Sequence, residues 1–568
     1  MRWLISSADS EAVTRLAREL EVPPLVARLL VLRGFASAEA AHAFLHPALG
    51  QLHDPYRMAG MKDAVHRLRR AIEQKEKVLI YGDYDVDGTM AVVVLLTTLR
   101  SLGARVEVHI PHRLTDGYGM RKAVVERAAA EGCKVIVSVD TGIREHEVLA
   151  RARELGLDTI VTDHHLPDPH LPPACAVLNP RRPDCDYPEK SLAGVGVAFK
   201  LAQALLGESR SAKLLKSYLK VVAIGTIADV VPLTGENRVI AHFGLDGLTS
   251  SGAGGNTGLE ALLSVAGLNG KPVSAGDVAF RIAPRLNAAG RMESARDVIE
   301  LFTTQDAERV REIAARLDAL NRERQRVEDE ILREIIRRME QSPEKAGRYS
   351  LVFAKPGWHR GVIGIVAQRV VDRYHRPALV IGVENGTGFG SGRSISGFHL
   401  LNALEAVGDL FDRFGGHAQA AGFALPAHRI EELEERFEKH AREALAPEDL
   451  EPVLRVDAEV DFGDLDLNLF REVQRLAPFG FGNPTPVFAS RGGRIILPPR
   501  LLQERHLKLR IARDGRVFDA LAWGQAERAR GLACGQELDL AFTMDENVFQ
   551  DVASLQLVIK DLRVNTDC

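Results

Sequence analysis

The sequence predicts an α/β protein in which a parallel-sheet domain is joined by a long helix to a second α/β domain and then to a β-rich C-terminal region. Three observations lead to this fold class. Short apolar runs alternate with helical segments from residue 77 onward, a stretch at 304–340 lacks Gly and Pro, and residues near 491–530 alternate polar with apolar positions. Strands that alternate with helices form parallel βαβ units, and alternating polarity is typical of half-buried strands.

The length and composition limit the possible classes of protein. A chain of 568 residues exceeds what one hydrophobic core supports, so we expect several domains. No apolar run approaches the ~18 residues of a membrane-spanning helix, and the N-terminus lacks the basic and apolar segments of a signal peptide. The five cysteines form no CxxC pair, which favours reduced thiols over disulfides or a zinc site. We therefore expect a cytoplasmic protein without membrane association.

The parallel-sheet domain is predicted from four apolar runs. They are KVLIY at 77–81, RVEVHI at 105–110, KVIVSVD at 134–140 and DTIV at 158–161. The segments between them, such as TMAVVVLLTTLRSLG and REHEVLARARELG, have helical character. Such a series forms a sheet with helices on both faces, and ligands of these sheets gather at the carboxyl ends of the strands.

The rest of the chain divides at changes of pattern. The stretch at 304–340 is rich in helix formers and predicts one long helix, with two bundled helices as the alternative because the apolar spacing is irregular. ALAPEDLEPV reads as a linker before the β-rich region. The predicted domains are a helical region at 1–75, a parallel-sheet domain at 76–303, the long helix at 304–341, a second α/β domain at 347–445 and a β-rich domain at 450–568.

Charge is distributed unevenly, although the net charge is only −4. Residues 491–530 contain ten Lys or Arg against four Asp or Glu, and the last 38 residues contain two basic against seven acidic residues. A basic segment beside an acidic tail can be the footprint of a polyanion or an ordinary solvated surface. The charge count alone does not choose between these alternatives.

Acidic residues and histidines follow successive strands of the predicted parallel sheet. GDYDVDG follows the first strand, SVDTG ends the third, TDHH follows the fourth, and a single aspartate interrupts the apolar stretch VVAIGTIADVVPL. Each residue taken singly could be a turn or a helix cap. Taken together they would bring several metal-binding side chains to one edge of the sheet. The residues are Asp83, Asp85, Asp87, Asp140, Asp163, His164, His165 and Asp229.

A divalent cation would explain such a cluster, because carboxylates that lie close together cannot all stay ionised without a counter-charge. Carboxylates with one or two imidazoles suit Mn²⁺ or Mg²⁺, and the absence of thiolates argues against structural zinc. The ligands exceed what one ion needs. Two divalent metal ions, Mn²⁺ or Mg²⁺, about 3.5–4 Å apart and sharing one aspartate, fit the two-metal template for phosphoryl transfer to water.

The motifs also carry a family resemblance. GDYDVDG, VSVDTG, TDHH and GTIADVVPL resemble, in order and spacing, the four motifs of the DHH phosphoesterase superfamily, and GWHRGVIGIVAQR, GSGRSISG and FGGHAQAAGF look like its DHHA1 partner domain. FRIAPRLNAAGRM, LNRERQ and LAPFGFGNPTPVF are similar to the RecJ family of single-strand exonucleases in particular. The resemblance implies a DHH parallel-sheet domain, a connecting long helix, a DHHA1 α/β domain and an OB-like β-barrel.

The resemblance implies a role for each residue of the metal motifs. Asp140 would bridge the two ions, and His165 would contact the scissile phosphate. Smaller family members have a histidine where this chain has Tyr81, and Asp83 is the apparent replacement, so the division of the first-motif aspartates between the ions stays open. The implied ligands are Asp87, His164 and Asp229 in one coordination shell and Asp83 and Asp85 in the other.

RecJ-like enzymes degrade single-stranded DNA from the 5′ end to mononucleotides, so the resemblance also implies a site for the terminal nucleotide. Guanidinium groups match phosphate oxygens bidentately, and glycine-rich segments can bring backbone N–H groups close to a phosphate. Taken alone, each arginine is better explained as a surface or structural residue. His359 and His417 could be core histidines, but the motif match favours substrate contact. The candidates are His165, Arg113, Arg285, Asn287, Arg291, His359, Ser391, Arg393 and His417.

The basic region looks like the OB-fold barrel that RecJ proteins carry after DHHA1. Such barrels hold a single strand by positive charge and by stacking bases on aromatic side chains. For each aromatic residue, packing in the core is the competing interpretation. The candidate stacking residues are Phe479, Phe481, Phe518 and Trp523.

The function implied by the resemblance is 5′→3′ degradation of single-stranded DNA in DNA repair and recombination. The implied partners are a single-strand-binding protein and a RecQ-type helicase, and we expect a monomer. The alternative is a DHH-family phosphodiesterase acting on short oligonucleotides or cyclic dinucleotides, although these relatives usually lack the C-terminal barrel. A non-enzymatic scaffold is disfavoured because every metal-motif position is filled apart from the Tyr81 exchange, and a pyrophosphatase needs neither the long helix nor the barrel.

Overall fold

A computed structural model of the chain describes residues 1–113, 117, 119–250 and 256–565. It divides into two compact units. The smaller contains Met1–Gln51, Pro232–Arg238 and Pro452–Cys568, and the larger contains Leu52–Val231 and Val239–Glu451. The predicted domains cut the chain at other places, and their boundaries stay a prediction.

The helices and strands are numbered in chain order. The strands are β1 Arg2–Ile5, β2 Lys77–Tyr81, β3 Arg105–His109, β4 Cys133–Val139, β5 Asp158–Thr162, β6 Ala176–Leu178, β7 Leu351–Pro356, β8 Ala378–Glu384, β9 Thr387–Arg393, β10 Arg413–Gly416, β11 Ala420–Pro426, β12 Val453–Val456, β13 Ala458–Glu459, β14 Phe488–Ile495, β15 Arg500–Leu502, β16 His506–Arg513, β17 Arg516–Ala522, β18 Glu537–Phe549 and β19 Val552–Val564. The helices are α1 Ser10–Leu20, α2 Pro24–Leu32, α3 Ala38–Leu45, α4 Met61–Glu73, α5 Val86–Ser101, α6 Lys122–Ala130, α7 His146–Glu154, α8 Gly194–Ala228, α9 Gly235–Ser250, α10 Thr257–Val265, α11 Ala275–Asp277, α12 Ala283–Met292, α13 Arg296–Thr303, α14 Ala307–Gln341, α15 Ile363–Tyr374, α16 Leu400–Glu405, α17 Ile430–Ala444 and α18 Leu467–Gln474.

The first sheet of the larger unit is parallel throughout, as predicted. Its strand order is β3-β2-β4-β5-β6. The chain passes from β2 to β3 on one side and returns to β4 on the other, so the carboxyl ends of β2 and β4 form the topological switch point where α/β sheets bind ligands. Residues 82–85 connect β2 to helix α5, and Asp85 caps the helix by accepting a hydrogen bond of 3.0 Å from the Gly88 N–H.

The stretch after 304 forms the single long helix α14, so the prediction of one helix is confirmed and the two-helix alternative is wrong. Its buried stripe is apolar at both ends, as at Val310 and Ile335, but polar in the middle. The irregular apolar spacing in the sequence reflects this polar segment. The buried polar residues of α14 are Asp318, Asn321, Arg324 and Glu328.

The second sheet of the larger unit has the order β10-β11-β9-β8-β7. Strands β7 and β8 are parallel, and the remaining pairs are antiparallel. Helices α15, α16 and α17 supply apolar side chains such as Val366, Leu400 and Phe437 to the core beside this sheet. This arrangement confirms the predicted second α/β domain.

The smaller unit contains a closed barrel. Strands β14, β18, β19, β17 and β16 pair in that order, and β16 pairs back to β14 through Ile511 and Ile495. Only β17 and β19 are parallel within this ring. This is the connectivity of an OB-like barrel, as the sequence predicted. Its core includes Phe488 and Phe542 together with Leu29 and Phe44 from the N-terminal helices.

Two features of the smaller unit escaped the sequence prediction. The N-terminal residues form strand β1, which pairs in parallel with β12, whereas only helices were expected there. Residues 232–238, expected in the parallel-sheet domain, belong to this unit, where Arg238 donates hydrogen bonds of 2.8 Å to the carbonyls of Phe44 and Leu476. Both contacts join distant parts of the chain, so no local pattern signals them. Across the described residues, no helix is long and apolar enough to cross a membrane.

Candidate metal centre and substrate site

The acidic motifs converge at the carboxyl ends of the first sheet. The first motif follows β2, Asp140 follows β4, and the Asp-His-His segment follows β5. Asp229 reaches the same place from the C-terminal end of α8. The motifs that follow β2, β4 and β5 all lie at the same edge of the parallel sheet. This confirms the prediction that the parallel strands would bring them together.

The cluster contains three groups of three side chains. Within each group, the potential ligand atoms lie within 4.8 Å of one another. Asp140 also links the groups, because its Oδ1 lies 3.2 Å from Nε2 of His164. The same nitrogen lies 3.6 Å from Oδ2 of Asp229. This geometry supports a bridging position for Asp140. The groups are Asp83 with Asp85 and Asp140, Asp87 with His164 and Asp229, and Asp140 with His164 and His165.

Burial shifts the pKa of most of these groups toward the neutral form. Burial and the nearby Asp85 raise the pKa of Asp87 to about 7, and burial followed by Asp87 and Asp85 raises that of Asp229 to about 9. Burial also raises the pKa of Asp83 and of Asp140 well above the usual range. The nearby Asp85 adds to this effect at Asp83, and the nearby Asp87 adds to it at Asp140. Burial and the neighbouring His165 lower the pKa of His164 to about 3, so its imidazole is neutral and can bind a metal.

The donor set fits divalent metal ions. Oδ1 of Asp140, Oδ2 of Asp229 and Nε2 of His164 are buried without a hydrogen-bond partner among the described residues. Buried polar atoms are normally hydrogen-bonded, and a cluster of unsatisfied carboxylate oxygens is unfavourable without a counter-charge. Carboxylate and imidazole ligands match the preferences of Mn²⁺ and Mg²⁺. No cysteine belongs to the three groups.

Tyr81 does not face this cluster. Its fully buried ring packs in the core beside the sheet with Ile136 and Val161, and its hydroxyl lies 3.3 Å from the carbonyl oxygen of Gly119. Asp83, two residues later, joins Asp85 and Asp140 in one ligand group. The geometry therefore supports Asp83 as the ligand that compensates for the missing histidine.

Asp163 has a positioning role. Its Oδ1 accepts a hydrogen bond of 2.7 Å from Nδ1 of His165, and both its oxygens accept bonds from backbone N–H groups, including that of Ile143 at 3.0 Å. The pKa of His165 is raised. Burial alone would lower it, but the hydrogen bond to Asp163 and the surrounding carboxylates outweigh burial. Asp163 belongs to none of the three ligand groups, whereas the sequence placed it in the metal site.

Two residues that the sequence analysis missed shape the cluster. The N–H groups of Gly194 and Val195, at the start of α8, donate bonds of 2.6 and 2.8 Å to the two carboxylate oxygens of Asp87. A Cβ on Gly194 would lie 2.5 Å from Oδ1 of Asp140. The glycine therefore allows the helix to approach the metal centre. The only sequence signal was a glycine at a helix start.

Four of the predicted substrate residues lie near one another. Arg113 and Ser391 line a cavity of about 460 Å³, and Nη1 of Arg393 lies 3.1 Å from the Ser391 hydroxyl. Arg113 also lies over the ring of Tyr84, which follows the first metal-motif aspartate. Burial and the guanidiniums of Arg113 and neighbouring arginines lower the pKa of Arg291 to about 9. This concentration of positive charge is suited to a phosphate.

The remaining predicted substrate residues are dispersed. Arg285 is held by Asp318 of α14 at 2.9 Å and by two backbone carbonyls, which gives it a structural role. Asn287 lies half-buried on α12 between Arg285 and Arg291. Nδ1 of His359 accepts a bond from the Gly361 N–H, and Gly361 in turn accepts one from Arg291. His417 lines a second cavity together with His164 and His165.

The four aromatic candidates of the smaller unit also separate. Phe518 is buried in the barrel core against Phe462, and Phe479 packs partly buried against the same core. Phe481 and Trp523 are 60% and 55% exposed. Trp523 follows β17, and its ring meets that of His506 edge-on at 4.8 Å between centroids. Only the last two are therefore available to a base.

Comparisons with known proteins agree with this architecture. Residues 77–226 match the family model of the DHH family N-terminal domain, residues 347–443 the DHHA1 domain and residues 456–561 the RecJ OB domain. The single-stranded-DNA-specific exonuclease RecJ of Bacillus subtilis is 40% identical over all of this chain and 71% of its own length. The RecJ of Salmonella typhimurium is 35% identical over 95% of this chain and 96% of its own.

Solved structures give the same result. The crystal structure of RecJ in complex with Mn²⁺ from Thermus thermophilus has a TM-score of 0.83 and 32% identity, covering 99% of this chain and 79% of that one. A Mg²⁺ complex from the same organism has a TM-score of 0.77. The fold and the carboxylate–histidine cluster define a metal-dependent phosphoesterase of the DHH class. Within that class, the chain belongs to the RecJ family.

Proposed function

We propose that this chain is a single-stranded-DNA-specific exonuclease that removes mononucleotides in the 5′→3′ direction. The carrying observation is the cluster of Asp83, Asp85, Asp87, Asp140, His164 and Asp229 at the sheet edge, beside a cavity lined by arginines. The relatives that are named single-stranded-DNA-specific exonucleases match 95% or more of this chain and support the choice of substrate. Bound in this cluster, two divalent ions, Mn²⁺ or Mg²⁺, would lower the pKa of the attacking water and stabilise the charge of the departing oxygen.

The residues around the cluster position the substrate. His165 is oriented by its 2.7 Å bond to Asp163, and its raised pKa favours a positive imidazolium that can donate a hydrogen bond to the scissile phosphate. Asp163 is itself fixed by the N–H of Ile143. A displaced ring would lose the phosphate contact, so Asp163 would act through His165.

The 5′ end is recognised by Arg113, Ser391 and Arg393, with Arg291 behind them. A terminal phosphate bound there would place the first phosphodiester at the metal centre. A shortened strand must again carry a 5′ phosphate to bind in the next cycle. Water therefore adds to phosphorus, the bond to the 3′ oxygen of the terminal nucleotide breaks, and that oxygen takes up a proton. The products are a mononucleotide and a strand with a new 5′ phosphate.

The resemblance to RecJ proteins supports a proposal for the cellular setting. We place the protein in the cytoplasm as a monomer that acts in DNA repair and recombination. A RecQ-type helicase would supply the single strand, and a single-strand-binding protein would present it. Co-sedimentation with each purified partner, with and without DNA, would test these contacts, and sedimentation of the protein alone would test the monomer.

The test of the activity is a degradation time course in Mn²⁺. Single-stranded DNA labelled internally, at the 5′ end or at the 3′ end is compared with matched duplex and with Asp140→Ala. We expect early release of the 5′ label as mononucleotide, only from single strands and not by the variant. Release of the 3′ label first would reverse the polarity. Cleavage confined to oligonucleotides of a few residues or to cyclic dinucleotides would move the assignment to the small phosphodiesterases.

A further inference from the structure

A second cavity adjoins the metal-binding cluster. It has a volume of about 500 Å³, within the range of small-molecule sites. We call it the Arg181 cavity and define it by residues 141–145, 163–166, Arg181 and His417. It contains two of the metal-motif histidines, His164 and His165, and its walls include the apolar side chains of Ile143 and Leu166. Two side chains of the proposed active site thus line this cavity.

Arg181 is held at this cavity through a buried asparagine. Its backbone N–H donates a 2.8 Å bond to Oδ1 of Asn179, and Nδ2 of Asn179 donates a 2.8 Å bond to the carbonyl oxygen of His165. Asn179 is fully buried. The asparagine therefore ties the backbone of Arg181 to the loop that carries the phosphate-contacting histidine.

Within the part of the chain that the structure describes, the guanidinium of Arg181 lies in no salt bridge with a carboxylate, and its Nε makes only a 3.4 Å bond to the Lys190 carbonyl. Arg144 on the same cavity lies 3.7 Å from Asp168 and also donates to the Leu166 carbonyl at 2.9 Å. A half-buried guanidinium without a carboxylate, facing a cavity, is suited to an incoming anion.

The charges approach the metal cluster from two sides. Arg113 lines the 460 Å³ cavity together with Tyr84, the neighbour of Asp83, whereas Arg181 lines the second cavity together with Asp163 and His164. If the Arg113 side holds the 5′ phosphate, the remaining strand has to leave the centre on another side. The Arg181 cavity opens on the side of His164 and Asp163 and is lined by a cation for a phosphate and by apolar walls for a base.

We propose that the Arg181 cavity binds the second nucleotide of the strand, with Arg181 contacting the phosphodiester on the 3′ side of the scissile bond. This inference rests on the proposed 5′→3′ exonuclease function and assigns the next position along the same substrate. Arg181 neutralises the second phosphodiester and so fixes the first one against the metal centre. Its loss slows cleavage of the first bond without changing the bond that is cleaved.

The experiment uses 5′-phosphorylated oligonucleotides with one neutral methylphosphonate. The substitution is placed at the second linkage or, as control, at the eighth, so the first linkage stays an ordinary phosphodiester. Single-turnover release of the terminal nucleotide in Mn²⁺ is measured for the wild type, Arg181→Ala and Arg181→Lys. Arg151→Ala serves as the matched control, because Arg151 is paired with Glu126 and Glu154 on the surface of the same sheet domain.

The wild type and Arg151→Ala should release the nucleotide ~10–100-fold more slowly from the second-linkage substrate than from the eighth-linkage one. Arg181→Ala should be slow on both and lose this discrimination, and Arg181→Lys should keep part of it. The ratio of the two rates does not depend on the fraction of active enzyme. Unchanged discrimination in Arg181→Ala, or none in the wild type, would overturn the inference. Absence of 5′ release from unmodified DNA by the wild type would instead overturn the proposed function.

Discussion

Asp140 combines an unusual backbone conformation with the central position among the ligands. Its φ is 59°, which few non-glycine residues adopt, and such strain is often found at functional sites. Asp140→Asn should lower the rate of DNA cleavage more than ~100-fold, because outer-sphere changes alone commonly cost 10–100-fold. Calorimetric titration should show weaker Mn²⁺ binding. Asp168→Asn, in a half-exposed pair with His146, is the matched control and should bind metal normally. Normal titration of Asp140→Asn would contradict its role as a shared ligand.

Gly194 tests how closely the start of α8 must approach the metal centre. In Gly194→Ala the new methyl group would meet Oδ1 of Asp140 at 2.5 Å, so the carboxylate or the helix has to shift. We expect cleavage to fall roughly 10–100-fold, with weaker Mn²⁺ binding. Gly196→Ala is the control, because its methyl group would meet only the flexible Leu192 side chain at 3.2 Å. Equal activity of the two variants would show that the metal centre tolerates the displacement.

The raised pKa values predict a pH-dependent effect of metal on stability. The pKa of Asp87 is about 7 and that of Asp229 about 9 in the folded metal-free protein, both above the ordinary aspartate value. At these two carboxyls the folded state therefore binds more protons than the unfolded state from about pH 4 to 9, and their contribution to stability decreases as pH rises. Mn²⁺ competes with the protons and should remove this loss. The increase in Tm on adding Mn²⁺ to EDTA-treated protein should grow from pH 5 to 9. An increase independent of pH would exclude coupling to these carboxyls.

At the scale of elements, the sequence predicted what periodicity and strand order determine. The strands β2, β4 and β5 and the acidic motifs after them follow from apolar runs and from the common edge of a parallel sheet. The roles of Gly194, Asn179 and Arg181 could not be predicted, because they depend on how α8 and the loop after β6 approach the sheet. The spacing of residues in the sequence also does not show that Arg285 forms a salt bridge with Asp318. Nor does it show that Phe518 faces the barrel core while Trp523 does not.

The buried polar stripe of α14 gives a prediction about stability. Glu328 is fully buried and pairs with Arg324 at 2.5 Å and with Arg369. Glu328→Gln leaves the buried guanidinium of Arg324 without its counter-charge, which typically costs about 3–5 kcal/mol in the free energy of unfolding. Urea unfolding of the variant should show this loss. The double variant Arg324→Met/Glu328→Met should recover most of it, since the pair is replaced by apolar side chains of similar length. A double variant as unstable as Glu328→Gln would mean that the ion pair itself is required.

At the scale of the whole molecule, the metal centre and the exposed aromatic residues of the barrel belong to different units. We expect a substrate of two nucleotides to occupy only the metal centre and the Arg181 cavity of the larger unit, and we expect the exposed aromatic residues of the barrel to bind bases of longer single strands. Trp523 is 55% exposed beside His506 and follows β17, which pairs with the strand that carries Lys508 and Arg510. Base stacking on such an aromatic residue contributes about 1–3 kcal/mol per base in single-strand-binding proteins.

Trp523→Ala should therefore raise the Kd for a 20-nucleotide single strand by roughly 5–150-fold, because one stacking contact is lost. Cleavage of a 5′-phosphorylated dinucleotide should be unchanged, since we expect that substrate to occupy only the metal centre and the Arg181 cavity, both of which belong to the larger unit. Fluorescence anisotropy with catalytically inactive Asp140→Ala as background measures the first effect, and product analysis with the active enzyme measures the second. Phe549→Ala is the control, because this side chain is 69% exposed at the end of β18 in the same unit, and its neighbours in sequence include the acidic residues Glu546 and Asp551. If Phe549→Ala weakened long-strand binding as much as Trp523→Ala, the effect would reflect general apolar surface, and the strand would have to follow another face of the barrel. If Trp523→Ala slowed dinucleotide cleavage equally, the effect would not be specific to long strands, which would contradict a stacking role for Trp523.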